Sequence, residues 1–198
     1  MLAVFFFFDI TMDIISKFAK WPEIKIFEAK KYKEARVEGH NALFWMARAA
    51  HSFLEPAIGN DHLSLFWHED QSDFRTRMLL DGLQIGLNLS ELEIYFCENG
   101  EKVPHSFWFD DRTPAFAEAW YLVELLHRGI DQEKFSTSLP FDSNEMLMGD
   151  TEDHNASLFK PELAAINECL HQTNEILKHV SNRLSEHHNF LNVKDQIT

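Results

Sequence analysis

The chain has 198 residues, of which 45% are hydrophobic and 25% charged, a composition that excludes a disordered or fibrous protein and suffices for one domain with a buried core. Lys and Arg number 18 against 32 Asp and Glu, so the formal net charge is -14. Binders of nucleic acids and of anionic membranes need a basic surface, so this charge argues against both. Most of the acidic excess lies after residue 60. It is either a solvated surface that keeps the protein soluble or an acidic face that binds a basic protein partner.

The N-terminus opens with an apolar run that includes four consecutive phenylalanines at residues 5–8. The run has no basic residue before it and is too short to span a bilayer, so it is interpreted neither as a signal peptide nor as a membrane anchor. We expect residues 1–11 to be an extension that either packs as a short strand or lies upstream of a start at Met12. Residues 12–190 are then predicted to form a single α+β domain.

The first long helix is predicted over residues 27–54, since Pro56 and Gly59 follow it and end the helical pattern. Its second half is apolar on nearly all sides, which is typical of a buried helix. The few polar side chains form one stripe, with Trp45 in its middle.

Between residues 62 and 109 apolar and polar residues alternate, which predicts four or five antiparallel strands in a meander with one apolar face. Asp81-Gly82 predicts a type I′ hairpin turn, in which both central residues need positive φ. Asn99-Gly100 marks another turn.

A second helix is predicted after the strands, with Thr113 as N-cap, Pro114 at the first helical position and Gly129 just past the end. Its apolar spacing predicts which side faces the core. The predicted inward residues are Phe116, Trp120, Val123, and Leu126 or His127.

Residues 130–159 are predicted to form a long, acidic and mostly irregular segment that packs along the domain. Pro161 opens the last helix, whose apolar residues keep heptad spacing to about His187. We expect this helix to pack onto the domain, with a homodimer seam as the alternative. The fold class is therefore α+β: a long N-terminal helix, a four- to five-stranded antiparallel meander, and two C-terminal helices packed on one sheet face.

Aromatic and histidine side chains are the candidates for a ligand pocket between the sheet and the helices, a common place for apolar ligands. The predicted lining residues are Trp45, His62, Trp67, His68, His105, Phe107 and Trp120. His62 and His68 are six residues apart, which would place both on one face of the first strand. Packed core is the competing interpretation for the same side chains.

Sequence motifs for cofactors are absent: the chain has no nucleotide-binding glycine motif, no nucleophile elbow and no EF-hand loop. His171, Glu175 and His179 have helical i, i+4 spacing, which suits either a solvated helix face or a shared metal ion. We favour the solvated face and expect neither a metal nor another cofactor. Cys97 and Cys169 are interpreted as free thiols in a reducing, cytoplasmic setting.

Several short motifs resemble an uncharacterised bacterial family catalogued as a domain of unknown function. The stretches that carry the resemblance are Trp67-His68, Gly129-Ile130-Asp131, Pro140-Phe141-Asp142 and the helix from Pro161. The resemblance covers roughly residues 21–185 and implies the same order of helix, antiparallel sheet and C-terminal helices. Because that family has no established activity, the resemblance implies no catalytic residues.

Three functions remain open from the sequence. The first is a non-enzymatic binding or interaction module with an acidic face, whose partner is a basic protein. The second is a small-molecule-binding protein or enzyme that holds a small apolar ligand in the aromatic and histidine pocket. The third is a metalloenzyme built on histidines.

Overall fold

The computed structural model describes residues 29–141 and 154–194, with side chains placed as far as residue 185. The apolar extension at residues 1–11 and the middle of the acidic segment, at residues 142–153, lie outside the described residues.

The chain divides into two compact units, one of them Ile24–Asn167 and the other Met1–Glu23 together with Glu168–Thr198. Of the second unit the structure describes only the later part of the last helix. The single domain over residues 12–190 stays a prediction.

Three helices and six strands form the described part of the chain. The helices are α1 (Ala29–Phe53), α2 (Pro114–His127) and α3 (Lys160–Lys194). The strands are β1 (Phe66–His68), β2 (Asp73–Arg75), β3 (Leu83–Asn88), β4 (Glu93–Glu98), β5 (Glu101–Lys102) and β6 (Phe107–Trp108). The prediction of an α+β fold with a long N-terminal helix and an antiparallel sheet is confirmed.

The sheet has the order β1-β2-β3-β4-β5, and β6 pairs with β4 beyond the end of β5. Every pairing is antiparallel. The register places apolar residues of neighbouring strands opposite one another, as in the pairs Phe74–Leu87, Leu87–Ile94 and Ile94–Phe107. This apolar face meets α2, where Phe96 contacts Tyr121.

The turn prediction for Asp81-Gly82 is wrong in its type, because Gly82 has a φ of 74° whereas Asp81 has no positive φ. Both positive φ values occur instead at the other predicted turn, where Asn99 and Gly100 have φ values of 53° and 88°. An asparagine tolerates the left-handed region better than an aspartate in most contexts, and here both central residues of a two-residue hairpin adopt it.

The alternation over residues 102–109 predicts one last strand, but two short strands form there, so the described residues contain six strands instead of four or five. Pro104 has no N–H to donate to the ladder, and His105 has a φ of 71°, far from extended backbone. The chain therefore leaves the sheet after β5 and rejoins it at β6.

The predicted inward face of α2 is also wrong. Its buried residues are Ala117, Tyr121, Glu124 and Leu125. Of the predicted inward residues, Phe116, Val123 and Leu126 are exposed, His127 is exposed and Trp120 is half-buried. The helix is thus rotated by about a third of a turn from the orientation that its apolar spacing suggested.

The ends of α2 follow the sequence closely. Thr113 occupies the N-cap position with Pro114 next to it, and Gly129 has a φ of 67° beyond the last turn. The Ile130 amide donates to the Leu125 carbonyl at 2.9 Å, which closes the helix with the glycine in the left-handed conformation.

Helix α3 is buried near its start, where Leu163 is inaccessible and Lys160 Nζ lies 2.7 Å from Glu91 Oε2. Further along, the heptad residues Leu177, Val180 and Leu184 are exposed. The heptad residues of α3 are therefore buried, as predicted, only near the beginning of the helix.

Candidate functional site

The outward face of α2 presents an apolar stripe, which we define as Phe116, Val123 and Leu126. Their side chains are 54%, 48% and 60% exposed. At 100° per residue they fall within an arc of roughly 80°, on the side of the helix opposite Tyr121. Large apolar side chains that share one exposed face are typical of a contact surface, whereas isolated ones need no explanation.

Packing on the inner side explains why α2 is held in this orientation. Tyr121 is inaccessible to solvent, its ring stacks on Phe135 with centroids 4.7 Å apart, and its hydroxyl donates to the Trp45 carbonyl at 3.1 Å. The Trp45 ring is stacked on both of these rings, with its centroid 6.5 Å from that of Phe135 and 6.0 Å from that of Tyr121. This aromatic cluster fixes α2 against α1.

Three of the seven predicted pocket residues, Trp45, Phe107 and Trp120, belong to this aromatic packing. Trp120 contacts Phe107 at a centroid distance of 5.9 Å and Phe96 at 5.3 Å. Its indole N–H donates to the His105 carbonyl at 2.7 Å. The structure therefore brings Phe107, Trp120 and the backbone of His105 together beside α2.

Three further residues of the seven, His62, Trp67 and His68, lie elsewhere. His62 belongs to a 3₁₀ turn at Ile58–Leu63 rather than to the first strand, so the prediction that it shares a strand face with His68 is wrong. Its Nδ1 accepts from the Ala57 amide at 3.2 Å, which ties the imidazole to the turn.

Trp67 and His68 are on β1, where Trp67 packs edge-on against Phe74 and His68 pairs with Asp73 on the opposite face. Since β2, β3 and β4 separate β1 from β6, about 19 Å of sheet lies between these residues and Phe107. A pocket lined by all seven residues stays a prediction.

The face of the sheet opposite the apolar face carries a buried polar network. The Tyr95 hydroxyl bonds to Asp73 Oδ2, and Asp73 Oδ1 lies 3.4 Å from Arg75 Nε. Arg75 also donates to the Gly100 carbonyl at 2.8 Å and to Gln71 Oε1 at 2.6 Å. The three side chains Asp73, Arg75 and Tyr95 are buried. Because buried charges need a partner, the Asp73 carboxylate and the Arg75 guanidinium compensate each other within the network.

Burial raises the pKa of the Cys97 thiol, on the same face, to about 11, and it also raises the pKa of the Tyr95 and Tyr121 hydroxyls. In the unfolded chain these groups lose protons at lower pH, so above pH 9 the folded state binds more protons than the unfolded state. Stability should therefore decrease as pH rises, by about 1 to 2 kcal/mol between pH 8 and pH 10. Urea unfolding at the two pH values measures this.

The Cys97→Ala variant is the control for the alkaline effect, since it should lose part of the decrease between pH 8 and pH 10. A free energy of unfolding that stays level or increases over that interval would contradict the burial of these three groups.

A histidine–carboxylate cluster lies at the C-terminal end of α2. His105 Nδ1 and His127 Nδ1 are each 3.7 Å from Glu124 Oε1. One ligand atom from each of the three residues lies within 4.8 Å of the others. Glu124 is buried, whereas both imidazoles are exposed. These residues can hold a metal ion.

Arg128 fixes the second oxygen of this carboxylate. Its guanidinium Nη1 lies 2.7 Å from Glu124 Oε2, and its Nε lies 2.8 Å from Glu98 Oε1. The arginine charge is thus shared between two carboxylates, and Glu124 Oε1 remains directed at the histidines.

An open groove of about 950 Å³ adjoins the cluster. Its walls are the β2–β3 turn at Leu80–Leu83, Glu98 and Asn99 from the end of β4, and His127 and Arg128 from the end of α2. His127 therefore belongs both to the groove and to the histidine–carboxylate cluster.

The sequence interpretation missed Glu124 and His127 as polar site residues. A signal was present, since Glu124-x-x-His127 places two ligands on one side of a helix, a spacing used by carboxylate-bridged metal sites. The third member, His105, is far away in the chain, and only the loop between β5 and β6 brings it to α2.

Comparison with family models, with curated proteins and with solved structures finds no match to this chain. The resemblance to a bacterial family of unknown function stays a prediction. Among the helices within the described residues, none is both long and apolar enough to cross a membrane.

Proposed function

We propose that this protein is a non-enzymatic interaction module, and that the apolar stripe of α2 binds an amphipathic helix from a basic partner protein. The observation that carries the proposal is the exposure of Phe116, Val123 and Leu126 on one face of a helix whose other face is fully packed. Helices that bind such a stripe supply their own apolar residues at i, i+3, i+4 and i+7.

Charge supports a basic partner. Helix α2 contains Glu118 and Glu124 but no Lys or Arg, and Glu118 is exposed about 80° around the helix from Leu126. Arg128 is already paired with two carboxylates, while Arg112 lies over the Phe116 ring at one end. With a net charge of -14, a second copy of the chain would add like charge at the contact.

The free cysteines Cys97 and Cys169 support a reducing compartment, and we propose a cytoplasmic location on that basis.

Two synthetic helical peptides of about 15 residues test the interaction. Both carry leucines at helical spacing; one has lysines and the other glutamates at the remaining positions. Fluorescence anisotropy should show that the lysine peptide binds more tightly and that added salt weakens it. Replacing Val123 and Leu126 together by glutamine should weaken binding by about 30-fold or more, because two buried apolar contacts are lost.

Ile58→Gln is the matched control, since Ile58 is fully exposed but lies outside α2. It should leave affinity unchanged. Equal affinity for the two peptides, or no effect of the double substitution, would overturn the proposal. So would a dimer in sedimentation that the double substitution dissociates, because the occupant would then be a second copy of the chain.

A further inference from the structure

We propose that His105, Glu124 and His127 form a binding site for a transition-metal ion of the Zn²⁺ class. The proposal does not depend on the partner of the apolar stripe, and it differs from the sequence expectation that the protein holds no metal.

The geometry of the three ligand atoms is the first argument. Both imidazole Nδ1 atoms lie 3.7 Å from Glu124 Oε1, too far for a hydrogen bond. Around a tetrahedral zinc ion with bonds of about 2.0 to 2.1 Å, ligand atoms are separated by about 3.4 Å. Shifts of a few tenths of an ångström would therefore bring each imidazole Nδ1 to that separation from Glu124 Oε1, and the three ligand atoms already lie within 4.8 Å of one another.

The way each ligand is held is the second argument. Glu124 is a buried carboxylate whose Oε2 is occupied by Arg128, so the carboxylate is oriented with Oε1 available. His105 is held by the hydrogen bond from the Trp120 indole to its carbonyl. Trp120, Glu124 and His127 are spaced i, i+4 and i+7 on α2, which places all three along one side of the helix.

The backbone of His105 is the third argument. Its φ of 71° is uncommon for a residue with a side chain and is found preferentially where the surroundings impose it. Here the left-handed residue follows Pro104 and turns the imidazole toward Glu124. An extended residue at this position would continue the strand instead.

The donor set selects the class of ion. Two imidazoles and one carboxylate suit Zn²⁺ and its neighbours in the transition series rather than Ca²⁺ or Mg²⁺, which take oxygen ligands. Glu98 and Glu124 share the charge of Arg128, so the site retains one net negative charge with neutral imidazoles. Three protein ligands leave a fourth position toward solvent and the adjoining groove.

Isothermal titration of the chelator-treated 198-residue chain with Zn²⁺ tests the site. We expect one tightest site per chain. His105→Ala and His127→Ala should each lower the affinity at least 100-fold, more than the 10- to 100-fold typical of residues that only support a ligand. Both imidazoles are exposed, so neither variant should alter the urea unfolding midpoint without metal.

His179→Ala is the matched control, a histidine from the i, i+4 series on α3, and it should bind Zn²⁺ as the parent chain does. Co²⁺ provides a second readout. Its visible absorption bands should appear with the parent chain and be lost in His105→Ala and in His127→Ala. Absence of Zn²⁺ binding, equal binding by all variants, or a loss confined to His179→Ala would overturn the proposal.

Discussion

Replacing Tyr121 by alanine should lower the free energy of unfolding by about 4 kcal/mol, the largest effect that we expect from a single substitution. The Tyr121 side chain is inaccessible and its ring lies within 4.8 Å of Trp120 and 4.7 Å of Phe135 between centroids. Alanine would leave a cavity between α1, α2 and the sheet that these rigid rings cannot fill. Urea unfolding followed by tryptophan fluorescence measures the loss.

One variant at Tyr121 separates the hydrogen bond from the packing, and a second variant compares the two faces of α2. Tyr121→Phe keeps the ring and removes the hydrogen bond to the Trp45 carbonyl, so it should cost about 1 kcal/mol. Val123→Ala changes an exposed residue on the other face of the same helix and should cost less than about 0.5 kcal/mol. If Tyr121→Ala and Val123→Ala cost the same, α2 does not pack with Tyr121 inward.

Replacing Gly86 by alanine should lower the free energy of unfolding by about 3 kcal/mol. Gly86 pairs with Tyr95 across β3 and β4, and an added Cβ would lie 2.7 Å from Tyr95 Cζ and 3.0 Å from its hydroxyl oxygen. The ring cannot yield easily, because its hydroxyl is bonded to the buried Asp73. The cost combines overpacking with the weakening of that hydrogen bond.

Gly59→Ala provides the comparison for Gly86. Gly59 has a φ of 68° and nothing within 4 Å of an added Cβ, so alanine there should cost only about 1 kcal/mol of backbone strain. In a Tyr95→Ala background the Gly86 substitution should cost less than about 1 kcal/mol, which a double-mutant cycle detects as coupling. Additive costs would show that the Tyr95 ring does not lie over Gly86.

Helix α2 combines a structural and a proposed binding role because its two faces have separate partners. Tyr121 and Leu125 bury the inner face, and the stripe with Val123 and Leu126 faces solvent. A substitution on the stripe can therefore alter binding without unfolding the helix. The interaction proposal depends on this separation, and so does the choice of its variants.

Local sequence patterns predicted the elements well. The positions of Thr113, Pro114 and Gly129 predicted both ends of α2, since capping depends on residues close in the chain. Alternating apolar residues predicted the antiparallel sheet for the same reason. Pro104 marks the interruption of this alternation in the sequence, because it has no N–H to donate to the ladder.

The orientation of α2 was not predictable from its sequence, because the helix is apolar on nearly every side and its spacing fits two faces about a third of a turn apart. Tertiary packing chose between them. The small side chain of Ala117 is buried, the Tyr121 hydroxyl reaches the Trp45 carbonyl, and Arg128 compensates the buried Glu124. These contacts join residues far apart in the chain, and helical periodicity carries no information about them.

The same distinction applies to the candidate sites. The sequence by itself determined the acidic charge, the order of helices and strands, and the helical pair Glu124 and His127, because these follow from composition and local spacing. Only the tertiary structure decided that Val123 and its neighbours face solvent and that His105 meets Glu124. Both outcomes depend on how a loop and a helix settle on the sheet, which is governed by the shape and charge of distant side chains.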